Sequence, residues 1–236
     1  MAPMPAIDGY APSIEADGWA ITPGVYDAGE CYDIAERLTA ALASLRRANG
    51  AIYGERNLLD LFPDVMRLWR RPPLLDVLFG VLGPDCGLVR GLFFDKPPEG
   101  SWSLPWHRDL TIAVREHRPS DLFRNPTTKA GVPHVEAPDV VLRQMLTLRI
   151  HLDDATPDNG PLQIVPGSHT GRDAPAERTP VTILAQAGDV LAMRPLLLHA
   201  SGESRCPASH RRVIHLEFAG CETLPDGYRW RQFGAI

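Results

Sequence analysis

Apolar residues set two different periods along this chain. From Glu30 they recur at three- and four-residue spacing, through Ile34, Leu38, Ala41, Leu42 and Leu45, with Glu36, Arg37, Arg46 and Arg47 largely off the stripe. That pattern predicts an amphipathic helix stopped by Gly50. A second helical stretch covers roughly 56–70 and is interrupted at Pro63. A third opens at Pro72-Pro73, carries Leu74, Leu75, Val77, Leu78 and Leu82, and stops at Gly83-Pro84. Residues 30–85 thus read as a helical scaffold for one sheet. Residues 1–28 mix Pro, Gly and small side chains and read as an irregular arm.

After Gly87 the period becomes that of strands. Residues 88–96 form an apolar run closed by Pro97-Pro98. In Gln144–Leu152, Leu146, Leu148, Ile150 and Leu152 share one face, while Thr147, Arg149 and His151 fill the other. A polar face in mid-strand means solvent or a hydrophilic barrel interior. Asn159-Gly160 and Pro166-Gly167 mark turns around a short strand. Further strands are expected at 181–184, at 190–193, in an apolar run that ends at His199, and at 211–218, with a turn over 202–209. Residues 113–139 show no period. So long a loop in a compact domain is read as a lid over a site. The whole chain, 1–236, is expected to be one mainly β domain with packed helices and its barrel core at 88–218.

Composition narrows the function. With 44% hydrophobic and 22% charged residues and no apolar run near ~18 residues, a membrane span is not expected. Met1–Pro5 lacks the basic and apolar regions of a signal peptide, which points to the cytoplasm. A net charge of -5 without a Lys/Arg stripe argues against nucleic acid as partner. The four cysteines, Cys31, Cys86, Cys206 and Cys221, are scattered and are expected to be free thiols.

The candidate chemistry starts at Trp106-His107-Arg108-Asp109. In an extended segment, His107 and Asp109 project from one face about 7 Å apart. One imidazole and one carboxylate make two thirds of the 2-His-1-carboxylate set that holds non-haem Fe(II) and leaves open positions. His199, 92 residues later, is the candidate third ligand. Arg211 stands twelve residues beyond it, and in a hairpin it would return to His199 and Ser201. An Arg fork with a hydroxyl beside iron suits 2-oxoglutarate, its keto-acid end on the metal and its far carboxylate on Arg211 and Ser201. Arg212 alternates to the opposite face and ranks second. Thr147, towards the cosubstrate, and Arg149, towards the substrate, would face ligands inside the barrel. Arg115, His117 and His134 on the lid are further substrate candidates.

His107-x-Asp109, Asn159-Gly160-Pro161-Leu162, Pro166-Gly167-Ser168-His169, His199-x-Ser201 and Arg211, in this order, resemble the phytanoyl-CoA dioxygenase family of Fe(II)/2-oxoglutarate-dependent oxygenases. The resemblance spans roughly 88–218 and implies a double-stranded β-helix, or jelly roll, with the N-terminal helices on its major sheet. It implies His107, Asp109 and His199 as iron ligands, and Arg211 with Ser201 for 2-oxoglutarate. It also places Lys96 in the cosubstrate pocket and leaves the Asn-Gly and Pro-Gly-Ser-His turns architectural, with His169 outside the ligand set. O2 and 2-oxoglutarate would be consumed, succinate and CO2 released, and an unactivated C–H of a small molecule hydroxylated. An acid at Asp109 favours oxygenation, since related halogenases carry a small residue there. The absence of a basic surface for coenzyme A argues against phytanoyl-CoA itself. The rival reading is a non-catalytic, cupin-type metal- or ligand-binding jelly roll, disfavoured by the lack of a His-x-His pair. A nucleic-acid demethylase on the same barrel is disfavoured by the acidic balance.

Overall fold

The structure, a computed structural model, describes residues 10–49, 54–97, 102–171, 178–206 and 210–236, with the backbone alone over 44–49. The expected helix stop at Gly50, Pro98, residues 1–9 of the arm and the side chains of Leu45, Arg46 and Arg47 lie outside the described residues. The rest of the supposed arm is ordered. Tyr10–Asp17 forms helix α1 and Trp19–Thr22 forms strand β1, which pairs antiparallel with Val190–Met193. The expectation of an irregular arm fails there because four residues paired along their whole length need no long periodic signal.

Helix α2 (Ala28–Asn49) opens on a reciprocal cap: the Asp27 N–H donates to Glu30 and the Glu30 N–H donates to Asp27. It buries Cys31, Ile34, Ala35, Leu38 and Leu42, while Ala41 faces solvent. After β2 (Gly54–Glu55), Pro63 separates two single turns, α3 (Leu58–Leu61) and α4 (Val65–Leu68). Helix α5 (Pro72–Leu82) follows and ends at Gly83, whose φ of 85° favours glycine. The strands then run β3 (Gly87–Phe94), β4 (Leu104–His107), β5 (Thr111–Ala113), β6 (Arg124–Lys129) and β7 (Val132–Glu136). A short helix α6 (Asp139–Leu142) leads to β8 (Met145–His151) and β9 (Leu162–Ile164). The remaining strands are β10 (Val181–Ile183), β11 (Val190–Met193), β12 (His199–Ser201), β13 (Val213–Ala219) and β14 (Gly234–Ala235).

These strands make a seven-stranded sheet in the order β1-β11-β8-β13-β3-β14, with β2 also on β3, and a four-stranded sheet in the order β10-β9-β12-β4. All pairings are antiparallel, as a jelly roll requires. Residues 113–139, expected to be a structureless lid, instead build a third sheet in the order β5-β7-β6. Its outer strand β6 is polar and almost wholly exposed, which is why no alternation marks it.

The two faces of the large sheet part company. Leu146, Leu148, Ile150, Ile214, Leu216 and Phe218 join α2–α5 in one apolar core. The opposite face carries cross-strand rows read directly from the register: Arg90–Glu217–Thr147, Leu92–His215–Arg149 and Phe94–Val213–His151. This polar face is the buried barrel interior, with Arg90, Thr147, Arg149, His151, His215 and Glu217 all screened from solvent.

Candidate active site

Two elements bring the metal-ligand candidates together. His107 and His199 are direct partners in the β4–β12 pairing, with ring centroids 4.1 Å apart. Asp109 lies just past β4, its N–H donating to Pro195 O at 2.9 Å. Its carboxylate sits 3.8 Å from His107 Nε2 and 3.7 Å from His199 Nε2. One donor atom from each of the three residues falls within 4.8 Å of the others. His199 opens β12 rather than ending the apolar run before it. Arg194–Leu197 is a turn, closed by Leu197 N donating to Arg194 O.

The donor set fits a ferrous ion. Each imidazole has Nδ1 on its own backbone, His107 on Pro105 O at 2.7 Å and His199 on Leu197 O at 2.8 Å. With Nδ1–H donating, Nε2 keeps its lone pair for a metal. Burial pushes the His199 pKa down to about 4, against the pull of Asp109, so the ring is neutral and ready to ligate. Burial alone would raise the Asp109 pKa, but His199, His215, His107 and Arg149 together hold it below the usual carboxylate range. The supports are equally specific. Arg108 donates to Leu196 O, Ser168 O and Gly171 O, tying the β4 segment to the turn before His199. Ser168 Oγ accepts the Leu198 N–H at 2.8 Å, so the Pro-Gly-Ser-His turn fixes the entry to β12.

Behind the triad lies a group of buried cations. Arg211 is 2% exposed and Arg149 7%, and each has Nε without a partner. Lys96 is wholly buried, with Nζ donating to Ser201 Oγ at 3.2 Å and to the carbonyls of Gly160 and Gly202. It also stands over the Trp102 ring. Gly160 has φ 68°, and a Cβ there would meet Gly202 O and Lys96 Nζ, so glycine is required. No carboxylate among the described residues pairs with Lys96, Arg149 or Arg211. Burial lowers the Lys96 pKa to about 7, helped by Arg211 and Arg149, and burial lowers Arg211 to about 10, helped by Arg149. His151, with neither ring nitrogen bonded, is driven to about 3 by burial and then by Arg149 and Arg211. Three desolvated cations that repel one another form a site for a multivalent anion.

Several expectations need correction. Arg211 does not return on a hairpin from β12: β12 and β13 belong to different sheets, and Arg211 is held by backbone exchange with Lys96. Arg212 does point away, in a bidentate pair with Asp153. The triad opens into a cleft of about 740 Å³ lined by residues of β3, β4, β6, β7 and β13. Arg115, His117 and His134 are not among its lining residues. Arg115 borders a separate hollow beside Trp230, His117 caps the carbonyls of Thr127 and His134, and His134 is buried against Val132 O. Thr147 is buried in the Arg90–Glu217 row. Sequence reasoning missed Arg90, His215 and Glu217. Their alternation with Leu and Ile was the same signal that marked Thr147 and Arg149.

A family model described as phytanoyl-CoA dioxygenase (PhyH) matches residues 14–213. Among solved structures, AviO1 from Streptomyces viridochromogenes Tue57 is 25% identical, with TM-score 0.64 over 96% of this chain and 98% of that one. The non-haem α-ketoglutarate-dependent epimerase SnoN of nogalamycin biosynthesis is 19% identical, with TM-score 0.68 over 92% and 82%. EctD from S. alaskensis, solved with 2-oxoglutarate and 5-hydroxyectoine, is 19% identical, with TM-score 0.67 over 89% and 74%.

Proposed function

The chain belongs to the phytanoyl-CoA dioxygenase family, a family of non-haem Fe(II)- and 2-oxoglutarate-dependent oxygenases, and from that premise we propose that it hydroxylates an unactivated C–H of a small molecule. His107, Asp109 and His199 hold the iron. Arg211, Ser201 and Lys96 take the far carboxylate of 2-oxoglutarate, and Arg149 adds positive charge between that carboxylate and the metal. Bound there, Fe(II), 2-oxoglutarate and O2 supply the oxidising power, with succinate and CO2 as coproducts.

The observation that carries this reading is the juxtaposition of an imidazole–imidazole–carboxylate triad with three buried cations that lack an anion. A plain metal-binding jelly roll has no use for that second feature, because unpaired buried charge destabilises the fold. The Nδ1–carbonyl bonds keep both histidines in the metal-binding tautomer, and the barrel walls keep bulk water from the cation group. The substrate enters the cleft between the large sheet and the β5-β7-β6 sheet, and no helix of the described residues is long and apolar enough to cross a membrane. Both EctD and SnoN carry small-molecule chemistry in their names, which supports a small-molecule substrate here.

The test is succinate release from 2-oxoglutarate under air, screened against amino acids, acyl thioesters and terpenoid or polyketide acids. Iron-dependent succinate stimulated by a member of the panel, falling at least about 100-fold in His107→Ala, is the expected result. Full turnover in that variant excludes the ligand assignment.

A further inference from the structure

The cleft is lined by chemically different groups. Leu92, Phe94, Trp102, Leu104 and Leu110 offer apolar surface. Arg90, on the same inner face of β3 as Leu92 and Phe94, and Lys129, on β6, line it too, with Glu55, Glu136 and Glu217. The acids are already engaged. Glu55 accepts the N–H groups of Arg56 and Asn57, Glu136 accepts Asn125 Nδ2 at 2.7 Å, and Glu217 takes Arg90 Nη1 at 3.3 Å and faces His215 Nε2 at 3.5 Å. The donors are engaged only in part. Arg90 has Nη1 on Glu217 but its buried Nη2 has no partner, and Lys129 Nζ donates to Thr111 Oγ1 at 3.2 Å. Spent acceptors beside cationic donors with N–H groups still unused call for a ligand that brings acceptor oxygens and negative charge.

We propose that Arg90 and Lys129 form a carboxylate clamp that selects substrates carrying a carboxylate on an apolar body, which lies against Leu92, Phe94 and Trp102. This deepens the oxygenase reading and rests on the cleft being its substrate site. Arg90 is held by Glu217, its cross-strand partner on β13, and is buried on β3, so its unpartnered N–H is fixed in direction. Lys129, on the exposed strand β6, is the adjustable partner. A clamp of this kind fixes one end of the substrate and so chooses which carbon reaches the triad.

The experiment is calorimetric titration of octanoate, octanamide and octyl phosphate into the protein under anaerobic conditions, with and without Fe(II) and 2-oxoglutarate. Octanoate is expected to bind at least about tenfold tighter than octanamide, since one charge-assisted hydrogen bond contributes on that scale. The preference should vanish in Lys129→Met and in the double variant Arg90→Met/Glu217→Leu, which removes the buried pair together so that no lone charge remains. Circular dichroism and Tm verify that each variant is folded. Equal binding of octanoate and octanamide overturns the proposal, as do tighter binding of octyl phosphate and no binding of any probe. So does a preference that survives in the double variant; in that case the free Arg90 N–H is spent on a water in the void of about 20 Å³ beside Arg90 and His134. A carboxylate preference that appears without Fe(II) and 2-oxoglutarate stands even if the oxygenase reading fails. A normal cofactor complex without the preference sinks the clamp alone.

Discussion

Strands β8 and β13 are sealed from water on both faces, yet the faces are built from opposite materials. Outward, Leu146, Leu148, Ile150, Ile214, Leu216 and Phe218 are 0% exposed and meet the helices. Inward, Arg149, His151, His215 and Glu217 are 1–7% exposed and meet the triad and its cleft. The first face stabilises the fold in proportion to the apolar area it removes from water. The second works against it, because cations without counter-ions are held out of solvent. A face that opposes folding is retained for what binds to it. The contrast separates scaffold from site more sharply than burial does.

The largest expected effect tests the inner face. Arg211→Leu should raise the 2-oxoglutarate concentration for half-maximal turnover at least about 30-fold, the loss expected when a buried charge pair forfeits one partner. The Tm of the metal-free protein should hold or rise, because an unpaired buried charge is gone. A fall in Tm with unchanged 2-oxoglutarate affinity would reverse the roles assigned to the two faces.

Leu148→Ala is the mirror experiment. Removing a fully buried side chain should lower stability by about 2–5 kcal/mol in denaturant unfolding, while the 2-oxoglutarate dependence of the folded fraction stays put. A proportionate loss of cosubstrate affinity would mean that the faces are not separable.

Acid sharpens the comparison further. Burial drives the His134 pKa to about 4 from its ordinary 6.5, against the pull of its bond to Val132 O and with help from Arg90 and Lys129. The unfolded chain therefore takes up this proton first. The contribution to stability is complete above pH 6.5, declines as pH falls, and is gone by about pH 4. In His134→Gln, wild type should lose its advantage across that window by something on the order of 1–3 kcal/mol. Parallel pH profiles would show that His134 is not held neutral. The smallest effect is expected from Ser168→Ala, which deletes the bond to Leu198 N-H and should cost about 1 kcal/mol while loosening iron affinity through His199.

Much of this was legible before any coordinates. His107, Asp109, His199, Ser201 and Arg211 were singled out by residue type, spacing and order, and Lys96 by the family resemblance, and they lie close together in the fold. Helix α2 was equally plain from its period, and α5 from its period and its Pro and Gly boundaries. What was not legible has a common cause: pairing with distant partners leaves no local trace. Strand β1 is four residues on a sheet edge, and β6 is polar throughout. The partners of β12 are β4 and β9, not the next strand along. The supposed lid candidates Arg115 and His134 were placed by proximity in sequence to His107; Arg115 lies past β5 in the hollow beside Trp230, and His134, on the same face of β7 as Glu136, is buried beside Arg90 without lining the cleft. Arg90, His215 and Glu217 were readable from alternation and were passed over because each sits among apolar neighbours.

The central claim is that the triad and the cation group act on one metal–cosubstrate complex. Anaerobic visible absorption on adding Fe(II) and then 2-oxoglutarate tests it directly. A band should appear only when both are present, should be lost in Asp109→Ala, and should need far more 2-oxoglutarate in Arg211→Leu. A band of full intensity in Asp109→Ala, or one indifferent to Arg211, would contradict the account.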